Sequence, residues 1–483
     1  MTERYVILPF MNKFLALLCA ALLAAPASAV EWTTMGPRAM GMGGAGVALA
    51  QGPLAAYWNP AALGRATENS YGFAAPVSAH GALTGDAVAG AKDLQNAFSN
   101  CGSLGATACQ AQINKAIGEL SNPNDGLRID GTAGGNIKIG KIDVFANGFL
   151  DVGATPQVDN VNTTPGTIAN NKSSLIVRGA RILELGAGYG HELPFAPAVL
   201  VGGDVKYMHA LVGVGDYAIN QNTSNAGKND IINTLKSNES NSSNIGVDLG
   251  ALWEVDKTFD NAWWSPKVGL TGRNLNNPKF AQPILVTPQG STVGGGRYAV
   301  NPTVRMGTSI TPLHFWNLAA DLDLTNNTTR VDNVKSRQLG LGTEVNVFNR
   351  SWINIPLRFG LARNLSASTN MFTAGVGINL LHLMIDVSGE ASPKSIDTQT
   401  QGNSTKIPQE FGAALQISLL FGGSEEDRGM RHGHDTQPVP TEKAMQPAAT
   451  APAPTNTVTP DQVKQNADKA QQELNNQSAP AKK

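Results

Sequence analysis

The chain has 483 residues and a net charge of -1, so its charge gives no reason to expect nucleic acid as a partner. Charged residues make up 15%, well below the roughly 25% of soluble chains. A soluble chain of this length calls for about two or three domains, yet the composition shifts only once internally, after Phe421, and beyond the N-terminus no run approaches the ~18 apolar residues of a membrane helix.

Residues 1–29 read as a secretory signal peptide. Lys13 precedes the apolar run Phe14 to Leu23, and small residues follow up to Ala29, after which the cut is expected. Initiation at Met1 or at Met11 fits equally. Cys19 does not make a lipoprotein signal, because Leu18 stands where a small residue should precede it. The mature chain then keeps Cys101 and Cys109, and an even pair in an exported chain predicts a disulfide.

Residues 30–65 are rich in glycine and show no alternation. Gly41, Gly43 and Gly46 imitate a dinucleotide-binding fingerprint by spacing, but no strand precedes them and the chain is exported, so that reading fails. Glycine lets backbone approach backbone in a crowded space. Pro60 fixes a turn that stops strand pairing, and Asn59 is placed to hold that turn through its neighbouring backbone.

Residues 66–421 form the expected barrel region, in which thirteen segments between Asn136 and Phe421 alternate apolar and polar residues at period two, most clearly over Asn244 to Asp256. The expected strands are Tyr71 to Leu83, Asp130 to Ile139, Lys141 to Val152, Ser174 to His191, Ala198 to Asp216, Asn244 to Asp256, Ser265 to Leu275, Pro302 to Thr311, Leu318 to Thr325, Arg337 to Phe348, Trp352 to Arg363, Phe372 to Leu380, Leu383 to Glu390 and Glu410 to Phe421. Short connections alternate with long ones, and a helical stretch is expected near Ala111 to Leu120 in the first long excursion. One-sided loop lengths with an even strand count predict an all-β transmembrane antiparallel barrel of about fourteen strands in a bacterial outer membrane, with both termini periplasmic. Trp253, Trp263, Trp264, Trp316 and Trp352 fall at or beside the short turns, where an interfacial girdle belongs. From 422 to 483 the sequence turns to Pro, Ala, Gln, Asn and Lys and predicts a disordered periplasmic tail, with Asp461 to Asn475 as a helix that would form on a periplasmic partner. His432 and His434 in that tail suit only adventitious metal, so no metal or cofactor site is expected.

Arg38-Ala39-Met40-Gly41-Met42-Gly43-Gly44-Ala45, followed by Trp58-Asn59-Pro60-Ala61-Ala62-Leu63, resembles the FadL-type outer-membrane transport family, whose N-terminal hatch carries an Asn-Pro-Ala motif. The stretches Leu318 to Thr325, Leu339 to Glu344 and Leu357 to Gly360 look more like a sister group, the TraF-like outer-membrane family associated with plasmid conjugal transfer. The resemblance implies that residues 30–65 form a hatch inside the barrel, with Arg38, Gly41, Gly43, Gly44, Asn59, Pro60 and Ala61 as its motif.

Candidate lumen-facing residues are Asp204, Lys206, Asp248, Glu254, Lys267, Arg273, Arg305, Asp321, Asp323, Glu344, Arg358, Asp386 and Glu390. Both signs occur in similar numbers, so pairing across the lumen is expected rather than a pore selective for one sign of ion. Strand histidines lack a recognisable partner for catalysis; His209 near Asp216 is the best of them. Passive uptake of hydrophobic small molecules through a plugged barrel, in contact with outer-membrane lipid and lipopolysaccharide, is therefore the expected function. The alternative is an envelope component of conjugal transfer or secretion without transport of its own.

Overall fold

The computed structural model describes residues 29–65, 71–122, 125–220, 231–259, 263–329, 334–350, 352–400 and 403–421. The expected signal peptide up to residue 28 and the expected tail from residue 422 lie outside them.

Fourteen antiparallel strands close into a barrel: β1 (Tyr71–Thr84), β2 (Gly126–Ile139), β3 (Ile142–Gln157), β4 (Ser174–Leu193), β5 (Ala196–Ala218), β6 (Glu239–Glu254), β7 (Lys267–Arg273), β8 (Thr303–Leu313), β9 (Trp316–Asp323), β10 (Gln338–Arg350), β11 (Ile353–Asn364), β12 (Thr369–Leu380), β13 (Leu383–Ala391) and β14 (Glu410–Phe421). Each strand pairs with the next in sequence, and β14 closes on β1 with Tyr71 opposite Phe421. The alternation of the sequence becomes an inversion of the usual inside and outside. Ile137, Ile139, Val205, Leu249, Val376, Ile378 and Ile417 are exposed on the outer surface, while Asn136, Lys138, Lys206, Asp248 and Asn379 are buried inside. That arrangement is stable only where the outer solvent is hydrocarbon, and closure leaves no strand edge unpaired there. Among the described residues no helix is long and apolar enough to cross a membrane.

One end of the barrel carries tight turns, at Gly140-Lys141, Pro194-Phe195, His314-Phe315, Trp352 and Leu381-His382. Gly140 sits at φ +61°, a left-handed conformation that glycine adopts without strain. Trp263, Trp264 and Trp352 are exposed at this end. The other end carries the long loops, with one exception that the sequence reading missed. The strand expected to start at Phe372 starts at Thr369, so only residues 365–368 join β11 to β12.

The long-loop end also holds more regular structure than expected. α3 (Ala87–Asn100) and α4 (Ala106–Leu120) form a helical hairpin whose Leu94, Ala97, Cys109, Ile113, Ala116 and Leu120 pack with Ile168 and Ile219. Cys101 and Cys109 are joined by a disulfide. Only the second helix was expected, although Ala87, Ala91, Leu94 and Phe98 already carry helical spacing. Residues 276–300, expected as loop, fold into two small hairpins, Lys279–Ala281 with Arg297–Ala299 and Ile284–Val286 with Thr292–Gly294. A third pairs Ser395–Thr400 with Asn403–Pro408.

Candidate functional site: the filled lumen

Residues 31–65 lie inside the barrel, and their local structure follows from their small residues. Gly36 at φ +86° turns the chain into α1 (Pro37–Gly41), where proline occupies a first-turn position that needs no amide hydrogen. Gly43 at φ +68° ends it in a Schellman cap: Gly43 N donates to Met40 O at 3.1 Å and Gly44 N to Ala39 O at 2.8 Å. α2 (Ala55–Trp58) stops at Asn59, whose side chain accepts from Ala61 N at 3.1 Å and donates from Nδ2 to Ala251 O of β6 at 3.0 Å. One asparagine therefore holds the Pro60 turn and ties it to the wall.

The wall makes room by presenting glycine. A Cβ added at Gly202 of β5 would stand 2.3 Å from Pro60 O, and one at Gly360 of β11 would stand 2.3 Å from Gly43 N. Backbone thus packs on backbone, and hydrogen bonds fix the register. Asp321 Oδ2 accepts from Gly46 N at 2.8 Å and Val47 N at 2.9 Å, while Thr373 Oγ1 accepts from Gly43 N at 3.0 Å and donates to Gly41 O at 2.9 Å.

Charge supplies the longer-range ties. Arg38 grips Glu344 through Nε at 3.0 Å and Nη2 at 2.8 Å; Arg358 bonds the same Glu344 and also Asp386, each at 2.6 Å. Arg65 pairs with Glu254 at 3.1 Å. On the wall itself, Lys206 Nζ reaches Asp248 at 2.7 Å and Glu184 at 3.2 Å, and Arg273 bonds the same two carboxylates at 3.3 and 3.0 Å. This cluster relieves Asp204, which stands directly opposite Asp248 across β5 and β6. Arg305 pairs with Asp323 at 2.6 Å. Nearer the long-loop end, Arg128 joins Glu31 and also Asp130, and His80 Nδ1 meets Asp130 at 3.0 Å.

Aromatic rings of the segment complete the seat. Arg273 lies 4.2 Å from the Tyr57 ring centre and Arg305 lies 4.7 Å from that of Trp32, both within cation–π range. Trp32 in turn stacks on Trp58. The buried Tyr57 hydroxyl donates to Thr33 O. Tyr57, Trp32, Thr373 and Arg65 are contacts that the sequence reading did not single out. The aromatics beside Asn59-Pro60 were the available signal for Tyr57; nothing at Thr373 distinguishes it from any lumen-facing threonine.

Every residue of the expected motif sits in this segment, and Asp248, Glu254, Arg273, Arg305, Asp321, Asp323, Glu344, Arg358 and Asp386 are all buried on the inner face of the wall. His209, by contrast, bonds Ser243 on the outer face, and no contact joins it to Asp216. The periplasmic N-terminus expected from the sequence would bring the segment into the lumen from the periplasmic side, at the short-turn end, and the structure gives it the opposite direction. Ala29–Val30 pairs in parallel with Asn327–Thr328, just past the long-loop end of β9, and Glu31 bonds Ser336 and Arg128 there. Arg65 meets Glu254 at the other end. The segment therefore runs down the lumen from the long-loop mouth to the short-turn mouth.

The space left over is small. One cavity of about 50 Å³ adjoins Trp32, His80 and Asp321, and one of about 90 Å³ lies among Met35, Ala39, Leu54, Met384 and Leu420. Both fall below the ~150 Å³ that admits benzene and far below the ~300 Å³ at which ligand pockets begin.

A family model described as "F plasmid transfer operon, TraF, protein" matches residues 56–323. No curated protein matches the chain. Among solved structures, the toluene transporter TodX of Pseudomonas putida is similar at 11% identity and a TM-score of 0.41, over 81% of this chain and 98% of that one. The CymD monoaromatic hydrocarbon channel is similar at 13% identity and 0.41, over 84% and 100%. A FadL homologue of Pseudomonas aeruginosa is similar at 12% identity and 0.42, also over 84% and 100%.

Proposed function

The chain belongs to the family described as "F plasmid transfer operon, TraF, protein", and from that premise we propose an outer-membrane barrel that admits small hydrophobic molecules passively when residues 30–65 shift as a hatch. One observation carries the reading: the lumen is filled by a separate segment seated on glycine and held by hydrogen bonds and ion pairs, not by side chains of the wall itself. A barrel of fourteen strands is too wide for its own side chains to close, since that works at about eight. The larger of these two cavities, beside α1, sets Met35, Leu49, Leu54, Met384 and Leu420 against Arg38, Arg358 and Asp386, and its apolar part supports a hydrophobic cargo. We read the protein as non-enzymatic, because most of its lumenal acids and bases are tied to one another in ion pairs. Lipopolysaccharide around the long loops and a periplasmic partner for residues 422–483 belong to the same proposal.

Deleting residues 33–50 tests it. An inserted barrel with much larger conductance in planar bilayers, and cells more sensitive to bulky antibiotics, is the expected outcome. A deleted protein that inserts normally and conducts no better than the intact one overturns the hatch. The family description favours a second reading, an envelope component of conjugal transfer without transport. In that case the deletion lowers plasmid transfer and leaves solute uptake unchanged.

A further inference from the structure

The cavity of about 50 Å³ is built jointly by the N-terminal segment and the wall. At ~10–15 Å³ per water-sized particle it has room for on the order of three or four. Buried polar atoms without a partner are rare in folded proteins, and each calls for an explanation. Among the described residues that line this cavity, Trp32 Nε1, His80 Nε2, Arg128 Nε, Asp321 Oδ1 and Gln338 Oε1 are buried without a hydrogen-bond partner. Trp32 is 5% exposed and Asp321 3%.

Charge points the same way. Glu31, Asp130, Asp321 and Glu390 line the cavity against Arg128, Arg305 and His80. With the imidazole charged, the four carboxylates of the lining outnumber its three cationic groups by one. Asp321 spends its other oxygen on two backbone N–H groups of the segment, and Oδ1, packed against Gly307 of β8, has no hydrogen-bond partner.

We propose that this cavity holds one small monovalent cation, an alkali-metal ion or ammonium, against Asp321 and Gln338, with water completing Trp32 and His80. The volume excludes larger organic cations. The charge deficit of the lining is that of a single monovalent ion. Because the segment supplies Glu31 and Trp32 while the wall supplies Asp321 and Gln338, the ion binds only when the segment is seated and stabilises that state by mass action.

The test uses the full-length protein in mild detergent, in potassium, sodium or ammonium chloride against N-methyl-D-glucamine chloride at equal ionic strength. The readout is the rate of limited proteolysis within residues 31–50. With a small cation at ten times its dissociation constant, cleavage should slow about tenfold. The difference should vanish in Gln338→Leu and in Glu390→Gln, which leave the Asp321 contacts to Gly46 and Val47 in place. Equal rates in all four salts would overturn the site, as would a difference that both variants retain. Either would mean that a proton on one of the carboxyls closes the charge instead. Conductance is not measured, so that outcome leaves the uptake reading standing.

Discussion

The N-terminal segment and the α3–α4 hairpin both leave the barrel wall, and they are stabilised in opposite ways. The hairpin has helices of 14 and 15 residues, an apolar core of its own and a disulfide across its turn. The segment has α1 of five residues and α2 of four, too short to persist alone. Its order is borrowed from the wall through Asp321, Thr373, Glu344 and Glu254. An element that folds on its own contacts can cap a mouth independently of the barrel. One that borrows its structure can be released by changing the wall alone.

The largest effect should come from breaking that loan. Glu344→Gln leaves Arg38 and Arg358 without their shared carboxylate, and removing one partner of a buried pair costs about 3–5 kcal/mol. Proteolysis within residues 31–50 should accelerate while the barrel keeps its heat-modifiable gel mobility. If both change together, the segment is part of the barrel's own stability and the comparison fails.

In the hairpin the reverse is expected. Ile113→Ala empties a fully buried position and should cost about 2–5 kcal/mol locally, seen as cleavage between residues 85 and 125 with the segment still protected. Next in size is the disulfide. Replacing Cys101 and Cys109 by serine removes a closed loop worth roughly 2–3 kcal/mol in the chain-entropy model. Maleimide labelling of intact wild-type cells should fail before reduction and succeed after it.

The smallest effect sharpens the comparison through pH. Burial pushes the Asp159 carboxyl up, but hydrogen bonds from the Asn162 side chain and from Lys172, Val161 and Asn162 N–H groups outweigh it, so its titration lies below the ordinary carboxylate range. A depressed folded value means that the stabilisation is present above the unfolded value, near 4, and is lost as pH falls through the folded one. Loop 158–173 should therefore open to protease only in acid, and Asp159→Asn should flatten that dependence.

The strands were legible because hydrocarbon on one side and water or polar side chains on the other impose period two over each strand. Glu410–Phe421 emerged with its bounds unchanged. The inward side of Asp248, Glu344 and Arg358 followed from the same parity. Their partners did not. Arg38 and Glu344 are 306 positions apart, and only closure of the barrel brings them together. The direction of the segment was equally hidden, because a glycine-rich stretch carries no periodicity, and the two-residue pairing that fixes its start at Asn327–Thr328 leaves no pattern in the sequence.

That direction bears on how the molecule is assembled. Residues 29–65 lie along the barrel axis from one mouth to the other, and β1 follows them at the short-turn end. When β14 zips onto β1, the seam closes around a chain already in place, as a cask is closed around its dowel. Threading the segment afterwards through a finished ring would drag Arg38 and Arg65 past the buried acids of the wall. Wrapping avoids that passage.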